Sequence, residues 1–303
     1  PHSPLQQPPS LLSSPLVSTA AAAPVRARAR KKYTIWPVKM LAIFQKQVAH
    51  APQELNSPRG STAKPRNPDE ILRDFHAAHP ADAFSTSFGG GAALACVAAQ
   101  PRSLAAGGYQ RMFCGLDDIY CVFMGTLDNL SSLMRQYGLT GRSTNEALLV
   151  IEAYRTLRDR GPYPADQVVK DLSGSFAFVV FDNRGRSGSG AAVFAAQSTD
   201  GGVPLHWGVA ADGSVVICDD RGVAKAGCGR SYAPFPPGCM FHSEGGLKSF
   251  EHPMNRLKAL PRVDSEGAMC GANFKVDAFT KINSMPRVGS ATNWAATWDD
   301  AAI

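Results

Sequence analysis

No stretch of the 303-residue sequence is apolar over the about 18 residues that a membrane-spanning helix needs, so a helical span is excluded. No CxxC pair occurs among the seven cysteines, Cys96, Cys114, Cys121, Cys218, Cys228, Cys239 and Cys270. Structural zinc sites use closely spaced pairs, and secreted disulfide frameworks use an even number in a small domain. Free thiols buried as small hydrophobes in a reducing compartment are therefore expected. No HxxxH pair joins His206, His242 and His252, which lie in separate strands or turns and read as core or surface residues. No motif calls for a metal or cofactor, and none is expected. Acidic residues are missing from the first 39 positions, which carry Arg26, Arg28, Arg30, Lys31, Lys32 and Lys39. Removing those six from the 31 basic residues leaves 25 against 25 acidic ones, so the net charge of +6 belongs to this segment. The remainder is neutral and has no basic face for binding phosphates, which argues against a nucleic-acid partner.

What is present is enough apolar residue for a folded core: 44% hydrophobic against 18% charged. Residues 1–39 are rich in Pro, Ser and Ala and read as a disordered basic extension. Three readings stay open for it: sequence upstream of a natural start at Met40, a transit peptide to an organelle such as the plastid, or a flexible tail. The cytoplasm is the expected compartment otherwise, with peripheral membrane or nuclear association left open.

Residues 40–253 read as one α+β domain, and 254–303 as a partly ordered extension packing on it or trailing from it. "MLAIFQKQV" reads as a buried strand and "PDEILRDFHAAH" as a short helix opened by Pro68 and Asp69. "RMFCGLDDIYCVFMG" reads as two strands joined at Leu116-Asp117-Asp118, and "NLSSLMRQYGL" as a helix closed by Gly138. The clearest helix is "STNEALLVIEAYRTLRDRGP". Ser143 and Glu146 fit a capping box, and Ala147, Val150, Ile151, Tyr154 and Leu157 recur at helical spacing. Strands follow: "SGSFAFVVFD", "AAVFAAQ", the hairpin "PLHWGVA" to "SVVICDD", and the hairpin "GCMFHSEGGLKSF" with Gly245-Gly246 at its tip. Many antiparallel strands with a few helices suggest two packed sheets covered by helices.

Two strings carry a resemblance. Tyr137-Gly138-Leu139 and Leu157-Arg158-Asp159-Arg160 are the YGL and LRDR motifs for which a plant family of aluminium-induced, stem-specific type proteins is named. "EAYRTLRDRGPYPADQVVKDL", "CMFHSEGGLKSFEHPMNR" and "PRVDSEGAMCGANFKVD" resemble that family too, and the likeness spans about Met40 to Trp294. That family is similar in turn to the glutaminase domain of asparagine synthetase and other class II glutamine amidotransferases. The resemblance implies an N-terminal-nucleophile hydrolase fold, a four-layer αββα sandwich. It also implies a plant protein that responds to stress, hormone or nutrient state.

Class II glutamine hydrolysis needs an N-terminal cysteine whose thiolate attacks the amide while the α-amine relays the proton. An oxyanion hole of a backbone N–H and an Asn side chain stabilises the intermediate. By the resemblance, Leu41 stands where the nucleophile belongs, and Met124-Gly125 where the Asn-Gly pair belongs. Asn145, followed by Glu146, stands where an acidic residue would grip the substrate amine, and "HPADAFSTSF" holds no Arg for the carboxylate. Loss of the nucleophile alone removes orders of magnitude in rate. The implied function is a non-catalytic binding or regulatory module, with a small amide or amino acid and a second copy in a homodimer as its open partners. Two alternatives stand beside it: an amidohydrolase or transferase using Cys96, Cys114 or Cys121, and an interaction protein with a vestigial pocket whose LRDR region touches a partner. Residue by residue, Leu41 also reads as ordinary core, Gly125 as a strand end, Tyr137-Gly138-Leu139 as a helix cap, and Arg158-Asp159-Arg160 as a solvated cluster at a helix terminus.

Overall fold

Met40–Phe44 form strand β1, which is buried at all five positions. Burial on both sides explains a continuous apolar run where a half-exposed strand would alternate. The computed structural model describes residues 39–56, 64–80, 83–97, 110–139, 145–160, 165–184, 190–263, 267 and 269–281. All of them fall within one contact unit, Ile35–Ile303.

β1 lies inside a six-stranded antiparallel sheet, between β3 (Ala92–Val97) and β9 (Val215–Cys218). β2 (Ala83–Phe88) ends this sheet on one side, and β8 (His206–Val209) and β10 (Tyr232–Pro234) complete it on the other. A second six-stranded antiparallel sheet runs β12 (Gly246–Ser249), β11 (Cys239–His242), β7 (Ala192–Gln197), β6 (Gly174–Asp182), β5 (Ile119–Leu127) and β4 (Gln110–Leu116). The expected mixture of helices with antiparallel sheets is what the chain forms.

Side-chain alternation sorts each strand onto two faces. Met40, Ala42, Phe44 and Trp207 of the first sheet meet Met124, Ala177, Phe181 and Phe241 of the second in one apolar cluster. Ring contacts cross between the sheets, Phe44 to Phe181 at 5.8 Å and Trp207 to Phe241 at 5.7 Å between centroids. The other face of the second sheet, with Cys121, Phe123, Phe176, Phe178 and Phe194, packs against α2 (Leu130–Gln136), α3 (Glu146–Asp159) and α4 (Ala165–Lys170). The other face of the first sheet, with Leu41, Ile43, Ala95, Val216 and Cys218, packs under Ile71 and Phe75 of α1 (Pro68–Ala78) and Val223, Ala224 and Cys228 of α5 (Arg221–Cys228).

Several local expectations change in the folded chain. The cap of α3 is Asn145, whose side chain accepts a hydrogen bond from the Leu148 N–H at 2.8 Å. The capping box built on Ser143 lies outside the described residues, and Asn145 does its work because its amide oxygen is one short side chain from the third N–H of the helix. The capping box that does form is at α1, between Asn67 and Glu70. β2, β3, α4 and α5 are short elements that the sequence pattern does not mark out. α5 is only eight residues long and is started by Asp220, which accepts from the Gly222 and Val223 N–H groups.

Beyond residue 253 the described residues form paired strands, although the sequence pattern there is weak. β13 (Asn255–Val263) and β14 (Met269–Lys281) pair as an antiparallel ribbon with register shifts. It packs on the first sheet through Phe274, whose ring lies 5.6 Å from Trp207, and through Arg262, 4.2 Å above the Tyr232 ring. Gly271 lies so close to the Leu55 carbonyl that a Cβ there would sit 2.5 Å from its oxygen. The ribbon reads weakly because β13 mixes partly exposed and exposed positions and contains Pro261.

Candidate functional site

By the resemblance, the start of β1 is the candidate site. Leu41 pairs with Ala95 on one side and Cys218 on the other, and its side chain is 1% exposed in the cluster under α1 and α5. Cys218 in turn stands opposite His206. One rung of the first sheet therefore aligns Leu41, Cys218 and His206. Beside it, the Met40 N–H donates to Asp219 Oδ1 at 2.6 Å, and Lys39 Nζ lies 3.0 Å from Asp220 Oδ2 and 3.9 Å from Asp219 Oδ2. Burial raises Asp220, but the hydrogen bond and charge of Lys39, with the Val223 and Gly222 N–H groups, outweigh it and hold the carboxyl below its ordinary range.

The Cys218–His206 rung escaped the sequence reading, and the hairpin of "PLHWGVA" with "SVVICDD" is the signal that could have shown it. It is a poor nucleophile–base pair. Burial, then the Asp219 charge, push the Cys218 thiol well up, and burial, then Arg221, push His206 down. A thiol held mostly protonated is a slow nucleophile, because only the thiolate reacts. Four other cysteines follow the same rule. Cys96 is buried; burial raises Cys114 and Cys121, and lifts Cys228 and Cys239 to about 12. His252 is exposed, and buried His242 is pushed down by burial against the pull of Glu244.

Met124 and Gly125 sit in β5, opposite Ala177 and Phe176 of β6. Met124 is 3% exposed and fills the space between the two sheets. Gly125 has a φ of 101°, and a Cβ there would lie 2.0 Å from the Ser175 carbonyl oxygen. Only glycine fits so close an approach. Asn145 spends its side-chain oxygen on the α3 cap, and Glu146 is buried in the first turn of that helix. Leu41 and Met124 thus belong to two different apolar clusters, and Asn145 and Glu146 to the helix beyond the second sheet. Among the described residues, no group of three or more His, Cys, Asp or Glu side chains could hold a metal ion, and no helix is long and apolar enough to cross a membrane.

The YGL and LRDR strings occupy structural posts. Gly138 takes a φ of 69° after α2, the Leu139 N–H returns to the Met134 carbonyl at 2.8 Å, Leu139 is buried and Tyr137 is half-buried. Leu157 packs against the core over the second sheet. Arg158 reaches past the helix end to Asp182, which is fully buried at the end of β6, at 2.6 Å, and also pairs with Asp159 at 2.8 Å. The Tyr154 hydroxyl donates to the same Asp182 carboxylate at 3.2 Å, and the Arg184 N–H to its other oxygen at 3.1 Å. Burial opposes the charge on Arg158, yet Asp159 and Asp182 more than compensate and hold it protonated; burial, then Asp182, push the Tyr154 phenol far up. Arg158 is therefore an anchor between helix and sheet and not a solvated charge, while Asp159 and Arg160 remain exposed.

Residues 41–276 match the sequence profile of the family described as aluminium induced protein. The chain belongs to that family. The stem-specific protein TSJT1 of Nicotiana tabacum is 36% identical over 151 residues, which are 48% of this chain and 95% of that protein. Asparagine synthetase [glutamine-hydrolyzing] 2 of Oryza sativa subsp. japonica is 35% identical over 97 residues, 32% of this chain and 15% of the synthetase. Among solved structures, the glutamine phosphoribosylpyrophosphate amidotransferase of B. subtilis complexed with ADP and GMP aligns at 15% identity and a TM-score of 0.46. An allosteric regulatory enzyme of purine biosynthesis aligns at 15% and 0.41. Each alignment covers 72% of this chain and 50% of the solved one, so the chain spans about half the length of these enzymes. The partial likeness to a glutamine-hydrolysing synthetase is an amidotransferase-like relationship.

Proposed function

We propose that this member of the aluminium-induced family is a four-layer αββα module of the N-terminal-nucleophile hydrolase type that has given up glutamine hydrolysis and acts by binding, in a stress- or nutrient-responsive regulatory role. The observation that carries this reading is Leu41. At the position of the family nucleophile stands a hydrocarbon side chain, 1% exposed and locked under Ile71, Phe75 and Val223. The layering is supported by three separate apolar clusters, one between the sheets and one on the outer face of each. The reading that Met124, Gly125, Asn145 and Glu146 line a degenerate pocket belongs to this proposal. The alternative of a different nucleophile draws no support from the cysteines, since Cys114, Cys121, Cys218, Cys228 and Cys239 are all shifted toward the protonated thiol.

A second reading, an interaction protein with a vestigial pocket, is favoured by one observation. Leu41 and Met124 fill core, and the Asn145 side chain is already engaged by the helix it caps. Glutamate release from glutamine separates these readings. The natural chain is expected to stay at the buffer blank, and release above the blank defeats the non-catalytic proposal. A Leu41→Cys chain beginning at residue 41 supplies the missing thiol and α-amine. Activity in that variant means that the site still accepts glutamine, which favours a small-molecule binder; silence in both favours the vestigial pocket.

A further inference from the structure

Cys114 and Cys121 occupy directly opposite positions in the β4–β5 ladder. Opposite residues of an antiparallel pair point to the same face, with Cα atoms about 4.5–5.5 Å apart. A disulfide spans about 4.4–6.8 Å between Cα atoms, so the rung is within its reach. Both thiols are free; Cys121 lies in the cluster beneath α3, and Cys114 packs against that cluster from a half-exposed position. Among the described ladders the other cysteines face no thiol. Cys96 stands opposite Met40 and Phe84, Cys218 opposite Leu41 and His206, Cys239 opposite Ser249 and Cys270 opposite Arg262.

The pairing is held in register by its turn. Asp117 and Asp118 take φ values of 50° and 64°, the left-handed conformation that a two-residue type I′ hairpin turn needs at both positions. Arg155 pairs with Asp117 and Arg184 with Asp118, each at 2.6 Å, and the Asn183 N–H donates to the Asp118 carbonyl at 3.0 Å. A slip of one residue would turn Cys114 to the other face of the sheet, and the two ion pairs oppose it.

We propose that Cys114 and Cys121 form a redox modification site, a reversible cross-strand disulfide made by a hydroperoxide. The more accessible Cys114 thiolate attacks the peroxide. A sulfur–oxygen bond forms, the oxygen–oxygen bond breaks, and water leaves after protonation. The Cys121 sulfur then attacks the Cys114 sulfenic acid; the sulfur–sulfur bond forms, and hydroxide departs with the Cys121 proton as a second water. The two thiols together lose two electrons to one peroxide. Burial favours the protonated form of both thiols, so the site is slow at neutral pH. It answers sustained oxidant load, and its rate climbs about tenfold per pH unit as the thiolate fraction grows.

The test is oxidation of the full folded chain with hydrogen peroxide, followed by peptide mapping under non-reducing conditions. The expected product is one cross-link joining the peptides of Cys114 and Cys121, two mass units lighter than the dithiol and reversed by dithiothreitol. Cys121→Ala should stop the reaction at a sulfenic acid on Cys114 that dimedone traps, and Cys114→Ser should give neither species. Cross-links scattered over other cysteines, sulfinic acid on Cys114 without a cross-link, or no reaction overturns the proposal. Because the product is read in the natural chain, a variant that fails to fold leaves the answer intact.

Discussion

The start of β1 and the end of α3 are opposites. At β1 the strand start is apolar and sealed, with Leu41 wedged among hydrocarbon side chains. At α3 the chain buries a full carboxylate, Asp182, and surrounds it with the Tyr154 hydroxyl, the Arg158 guanidinium and the Arg184 N–H. Burying a charge is costly unless it is paired and hydrogen-bonded. The buried polar network of this pair of regions therefore lies where a helix joins a sheet, while the start of β1 is sealed by hydrocarbon. The LRDR string is thus a tie from α3 to β6 through its first arginine, with its second arginine left in solvent.

The largest expected effect lies at the tie. Asp182→Ala leaves Arg158 and Tyr154 facing an empty acceptor and should cost about 3–5 kcal/mol in urea unfolding. Asp159→Ala, on the exposed side of the same arginine, should cost no more than about 1 kcal/mol. If the two variants unfold alike, the tie is a surface ion pair and the contrast collapses. Leu41→Ala should cost about 2–5 kcal/mol by the same assay, because it opens a cavity beneath α1 and α5. A near-neutral result there would mean that β1 begins in a tolerant pocket, which would revive a small-molecule site.

Smaller effects sharpen the picture. Asn145→Ala should remove about 1 kcal/mol by unsatisfying the Leu148 N–H; a loss well above that would show that Asn145 does more than cap. The smallest effect is in pH. His206, separated from β1 by β9, and His242, within reach of the Asp182 charge, are both pushed below the ordinary imidazole value, by burial first. The unfolded chain then binds protons that the folded chain excludes, so stability should fall as pH drops below about 6.5 and toward the depressed folded values. Replacing both histidines with glutamine should flatten that slope between about pH 5 and 7 in denaturant titrations. If the slope persists, other groups carry it.

Much of the fold was legible because its elements are strongly patterned. The β4–β5 hairpin, the α3 face of Ala147, Val150, Ile151 and Tyr154, and the Gly138 cap all lie where the sequence puts them. β2, β3 and α5 were not legible, since each is short and gains its order from neighbours. The α3 cap is Asn145, whose side chain reaches the Leu148 N–H, while Ser143 lies outside the described residues. The ribbon of β13 and β14 stayed faint because one face of it meets the first sheet through only a few side chains such as Phe274 and Arg262.

The sequence by itself determined that this chain builds antiparallel sheets with helices, that its net charge comes from its first 39 residues, and that the residue directly after Met40 is Leu41 and not a cysteine. Those are properties of composition, spacing and residue identity. Only the tertiary structure decided that Leu41, Cys218 and His206 share a rung, that Met124 and Leu41 lie in different apolar clusters, and that Arg158 closes on Asp182. Each depends on strand register and on which face of a sheet a helix covers, and contacts between residues far apart in the chain set both.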